Sequence, residues 1–133
     1  MNTLPIPTGL AELSTKIAVD LSEWATFGRV DLRVDAYPRV ILRRGAAGRI
    51  EFELHLGALP RLGGEREQLL DRIMLRVTAG APLRGAAPVL SADGEQLLLQ
   101  ALVRDEHGAA LERALEDFLN EADYWTALLR GRV

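Results

Sequence analysis

Hydrophobic positions change period several times along the chain, and each change marks an element. Pro5 and Pro7 disfavour helix at the start, so residues 1–7 read as an extended N-terminal arm. From Thr8, a residue type suited to capping, Leu10, Leu13, Ile17, Leu21 and Trp24 recur every three or four positions. That spacing predicts one helix with a single apolar stripe, and Val19 falls on its far side. After Phe27 and Gly28 the period becomes two. Val30, Leu32 and Val34 alternate with Asp31, Arg33 and Asp35, the pattern of a half-buried strand. Ala36-Tyr37-Pro38 reads as a turn, 39–43 as a second strand, and Gly45-Ala46-Ala47-Gly48 as a connection. Ile50, Phe52, Leu54 and Leu56 then alternate with Glu51, Glu53 and His55. Three strands with short links predict an antiparallel meander with one face on a core.

A second helix is predicted over 65–79. Leu69, Leu70, Ile73, Met74 and Val77 form a broad apolar arc, with Leu75 outside it. Glycines and prolines between Gly80 and Pro88 close that helix. A hairpin follows, 89–91 pairing with 96–104 about Asp93-Gly94. Its second strand has Leu97, Leu99, Ala101 and Val103 on one face, but Leu98 and Leu102 make the other face apolar too. The last helix runs from near His107 to about Arg130, with Leu111, Leu115, Phe118, Ala122, Trp125 and Leu129 in one stripe and Gly131 as cap. The order α-β-β-β-α-β-β-α predicts an α+β fold, helices packed on a twisted antiparallel sheet. No repeat or linker divides residues 1–133, which read as a single domain.

Composition narrows the chemistry. Hydrophobic residues make up 48% and charged residues 26% of the 133, the proportions of a globular chain rather than a disordered one. There is no cysteine, which excludes disulfides, thiolate catalysis and cysteine-ligated zinc. No apolar run approaches the roughly 20 residues of a membrane span, so no membrane insertion is expected. The N-terminus lacks the basic and apolar regions of a signal peptide. A net charge of −3 argues against nucleic acid as a partner. The charge is uneven. Arg29, Arg33, Arg39, Arg43 and Arg44 crowd the early strands, whereas 105–123 is acidic except for Arg113. Such asymmetry suits docking or self-association, and equally the solvated faces of a sheet and a helix.

Catalytic patterns are missing. His55 and His107 are the only histidines and neither has a partner at helical ligand spacing, so no metal site is expected. Ser14, Ser22 and Ser91 sit in no nucleophile elbow, and the glycines form no phosphate-cradling loop. The pairs Glu112/Glu116 and Asp117/Glu121 lie on a polar helix face. No catalytic residue, cofactor or enzymatic activity is expected; a small-molecule enzyme would need a polar pocket that the sequence does not advertise.

What remains is surplus hydrophobicity: the broad arc plus Leu75, the two-faced strand, and Ile41 facing outward between Val40 and Leu42. These features suit a domain that buries one surface in a homodimer and offers others to a partner.

Three stretches carry a resemblance. They are Leu54-His55-Leu56-Gly57-Ala58-Leu59-Pro60 leading into 69–74, Pro88 to Leu99, and Leu111 to Trp125 followed by Leu128-Leu129. In order and separation they resemble the class I type III secretion chaperones, the Tir-chaperone family. The resemblance implies a non-enzymatic homodimer of the bacterial cytoplasm, which binds the N-terminal region of a secreted effector and keeps it non-globular and secretion-competent. It implies a dimer interface at Leu69, Leu70, Ile73, Met74, Leu98 and Leu102. Effector contacts would involve Val19, Trp24, Phe27 and Ile41, with Trp24 equally suited to the core. The alternative is a regulatory module of the same fold that sequesters a transcriptional regulator or another secretion component.

Overall fold

Alternation in the central strands sorts their side chains between two faces, and the computed structural model shows which face is covered. It describes residues 5–16, 19, 21–34, 36–61, 63–80, 85–104 and 108–131. The elements are α1 (Thr8–Lys16), α2 (Ser22–Phe27), β1 (Arg29–Leu32), β2 (Val40–Arg44), β3 (Arg49–Ala58), α3 (Gly64–Gly80), β4 (Ala86–Leu90), β5 (Gln96–Arg104) and α4 (Gly108–Leu129). All strand pairs are antiparallel, in the spatial order β1-β2-β3-β5-β4. The α+β architecture expected from the order of periods is the one observed.

The inner face is built from the predicted alternation. Val30 pairs with Leu42, Leu42 with Phe52, and Phe52 with Ala101, one row running across the sheet. Ile50, Leu54, Leu56, Leu97 and Leu99 fill the neighbouring rows and are buried. The apolar stripe of α4 covers them: Leu111, Leu115, Phe118, Ala122, Trp125 and Leu128 are all buried. Phe118 meets Phe52 edge to face, centroids 5.5 Å apart at 79°. α1 packs beside α4 through Leu10 and Leu13, and Lys16 is bonded to Glu112 at 2.8 Å.

Three elements depart from the sequence expectation. The single helix expected from Thr8 to Trp24 is two, because residues 19 and 21 are not helical; Ile17 lies outside the described residues. A straight helix would leave Val19 on the polar side, whereas here it packs against the core. Gly28 ends α2 in the left-handed region (φ 67°), its N–H donating to the Trp24 carbonyl at 2.8 Å. The other departure is β4, which begins at Ala86 inside the stretch expected to break structure. Pro88 is tolerated because β4 is an edge strand. The last helix starts at Gly108, and His107 lies outside the described residues.

Between His55 and Gly57 the β3–β5 register shifts by a bulge. Gly57 has φ 153°, and a Cβ there would lie 2.8 Å from Leu129 Cδ2. Both constraints require glycine. Gly57→Val should cost about 1–3 kcal/mol by overpacking against α4. Urea unfolding would show this as a lower midpoint at unchanged slope.

Candidate protein-binding surfaces

The core leaves α3 only half engaged. Leu69 and Ile73 are buried in the core and Leu70 and Val77 pack against it, whereas Met74 and Leu75 are 63% and 70% exposed. Polar bonds hold the helix in place. Arg66 donates to the Pro60 carbonyl at 3.1 Å and the Gly94 carbonyl at 2.9 Å, and Arg76 donates to the Tyr124 hydroxyl at 3.2 Å. The result is a fixed helix that exposes two large apolar side chains, Met74 and Leu75, to water.

The outer face of the sheet is the second surface. In register across it lie Asp31, Ile41, Glu53 and Gln100 in one row, with Glu51 and Leu102 in the next. Glu53 is only 8% exposed. Gln100 Nε2 donates to its Oε2 at 2.8 Å, and Arg43 Nη1 and Nη2 reach its two oxygens at 3.2 and 3.4 Å. Arg43 also meets Glu51 at 3.5 Å. Asp31 is held by Arg29 at 3.1 Å and Arg39 at 3.2 Å. Burial opposes the charge on Glu53, but the bonds from Gln100 and Arg43 outweigh it and hold the carboxyl below its ordinary range. Asp31 is lowered the same way, burial being overcome by Arg29 and Arg39.

A depressed folded-state pKa means stabilisation that is fully present above the unfolded value and lost as pH falls through the folded one. Stability should therefore decline below about pH 4 as Glu53 and Asp31 protonate. Thermal melts of Glu53→Gln should show a shallower acid decline than the native chain, with Asp31 and Asp93, the latter lowered by bonds from the Ser91 hydroxyl and the Glu95 N–H, contributing to the remainder.

The residues singled out in the sequence fall into three groups. Leu69, Ile73 and Trp24 are buried within the chain, Trp24 Nε1 donating to the Pro5 carbonyl at 3.1 Å. Leu98 is nearly buried on the outer face, opposite His55 and Val89, and Val19, Leu70 and Ile41 are half-buried. Phe27, Met74 and Leu102 are exposed, Phe27 at 76% and Leu102 at 50%. The structure thus gathers Ile41, Leu98 and Leu102 on one sheet face and sets Met74 apart on α3.

Two features were missed. Alternation puts Glu53 on the polar side of its strand but does not reveal its burial, because a single strand does not show the cross-strand Arg43 and Gln100. A groove of about 370 Å³ between α4 and the β4–β5 strands, where the small apolar side chains Ala86, Ala101 and Ala114 meet the charged Arg104, Asp117 and Glu121, also went unread. Alanines carry little periodic signal. Among the described residues no cluster of three or more His, Asp or Glu side chains is placed to hold a metal, and no helix is long and apolar enough to cross a membrane.

No family model and no curated protein matches the sequence. Solved structures do match. A chain of the heterodimeric ExoU–SpcU complex from the type III secretion system of Pseudomonas aeruginosa is 21% identical, with a TM-score of 0.67 over 94% of this chain and 98% of that one. A chain of the Yersinia pestis type III secretion chaperone SycH in complex with a fragment of YscM2 is also 21% identical, TM-score 0.62, covering 89% and 97%. A chain of the HopA1–SchA chaperone–effector complex is 14% identical, TM-score 0.60, covering 86% and 87%. At these identities the likeness is one of architecture, and it extends over most of every chain compared. The protein has the fold of the type III secretion chaperones.

Proposed function

We propose that this chain is a non-enzymatic type III secretion chaperone. It acts as a homodimer in the bacterial cytoplasm and binds the N-terminal segment of a secreted effector, which it keeps extended. The observation that carries the reading is the coincidence of this fold with exposed apolar side chains on two separate surfaces. Met74 and Leu75 on α3, backed by Leu69, Leu70 and Ile73, supply a dimer surface; Leu98 and Leu102 on β5 supply a separate part of the same interface. Ile41 and Phe27 supply effector contacts, with Val19 and Trp24 supporting them from within. An extended peptide gains main-chain hydrogen bonds at a sheet edge and fills apolar grooves without any nucleotide.

The test is calorimetry with the N-terminal segment of a secreted protein that co-purifies with this chain from its native cell. A segment of roughly 50 residues or more that orders on binding should show a large negative heat-capacity change. Ile41→Thr should weaken that binding about tenfold while leaving the melting temperature nearly unchanged, because its side chain lies outside the core and the change adds no charge beside Asp31 and Glu53. Unchanged affinity would place the effector elsewhere.

A further inference from the structure

The two edges of the sheet, β4 at one side and β1 at the other, differ in what their backbones offer. Along an antiparallel strand, the N–H and C=O groups of successive residues turn alternately toward one neighbour and away from it. Ser91 N–H donates to the Gln96 carbonyl at 2.9 Å, in register with the β4–β5 ladder. Residues 87 and 89 therefore also turn toward β5, and 86, 88 and 90 turn outward. The middle outward position is Pro88, which has no N–H. The edge keeps outward donors only on Ala86 and Leu90, about 13 Å apart, with the proline ring between them. On β1, Arg44 N–H donates to the Gly28 carbonyl, so Arg29 and Asp31 turn outward, and each has its N–H.

Side chains add to the contrast. Charge on an edge strand opposes pairing with another chain, and β1 carries it in Arg29 and Asp31. β4 is Ala-Ala-Pro-Val-Leu, with no charged residue, and Leu90 is 48% exposed. Among the described residues no strand pairs with its outward side. A short, apolar, uncharged edge strand is a template for pairing with its own copy, and Pro88 is the feature of β4 that opposes this. Leu98, part of the proposed dimer surface, lies directly opposite Val89, so a second copy seated there also reaches β4.

We infer that Pro88 is a stop against strand pairing between copies of this chain. It confines self-association to a closed dimer packed through side chains and keeps β4 edges from zippering into larger sheets. The inference rests on the homodimer reading only for the number of copies at which association halts; the stop itself follows from the missing N–H. With that N–H restored, residues 86, 88 and 90 would present three outward donors and three outward carbonyls. Such an edge is complete enough to pair antiparallel with the same edge of another copy.

Two variants of the full chain restore the donor: Pro88→Val, with a side chain suited to strands, and Pro88→Ala, with a smaller one. By light scattering, each should reach a mass at least about twice that of the native chain at the same concentration, with its circular dichroism spectrum retained. Adding Ala87→Lys to Pro88→Val should return the mass to the native value, because it places a charge on the edge. Unchanged mass in both variants would overturn the inference. So would loss of the spectrum in both, which would make Pro88 a requirement of the fold rather than a stop. A larger mass that Ala87→Lys leaves unaltered would place the new contact elsewhere and overturn it as well. A monomeric native chain whose Pro88→Val variant associates would leave the stop standing and remove the homodimer. A dimeric native chain whose variants stay dimeric would keep the homodimer and remove the stop.

Discussion

Replacing Met74 and Leu75 together with aspartate should convert a dimer of about twice 14.6 kDa into a folded monomer. Both side chains are exposed in the single chain, so aspartate costs the protomer little there. In a dimer closed through α3, the same change would bury unpaired carboxylates from both subunits, a penalty of several kcal/mol. Light scattering should therefore show the mass halved, with the circular dichroism spectrum retained. Ile73→Asp is the contrasting case. Ile73 is already buried in the core of one chain, so its loss should unfold the protein rather than dissociate it. A native-like dimer from the double aspartate variant at micromolar concentration would remove α3 from the interface.

The second large effect is expected at Phe52. It occupies the middle of the inner face, in register with Leu42 and Ala101, fully buried and edge to face with Phe118. Phe52→Ala should cost about 3–5 kcal/mol, since the cavity would sit between sheet and helix where neither collapses easily. Against a total stability of about 5–15 kcal/mol, that is a large fraction. Urea titration would show the midpoint drop at constant slope, and a loss below about 1 kcal/mol would mean that α4 does not clamp this row.

The fold was legible where one face of an element meets the core. The alternation through Ile50, Phe52, Leu54 and Leu56, and the stripe from Leu111 to Leu129, each carry a period over several turns or pleats. Short elements gave less. After α1, Val19 packs against the core, a tertiary contact that no helical period displays. β4 was obscured because its sequence is Ala-Ala-Pro-Val-Leu, and only its position at the sheet edge makes Pro88 acceptable. The binding surfaces were partly legible. Met74, Leu75 and Leu102 stood out as surplus apolar residues and are exposed, but Leu69 and Ile73 share the same signature and are buried. Hydrophobicity in one sequence does not separate a side chain that packs inside its own chain from one that awaits another. The charge features needed pairing partners: the Glu53 network does not exist until β2, β3 and β5 are in register.

The most direct test of the chaperone account is limited proteolysis of the co-purifying secreted protein, alone and in complex, with the mass of the complex measured alongside. The account expects a complex of two copies of this chain with one effector. It also expects a protected N-terminal stretch of roughly 50 residues or more that is cut rapidly when the effector is free. A complex containing a single copy, or an effector whose bound segment is already compact and protease-resistant on its own, would contradict it.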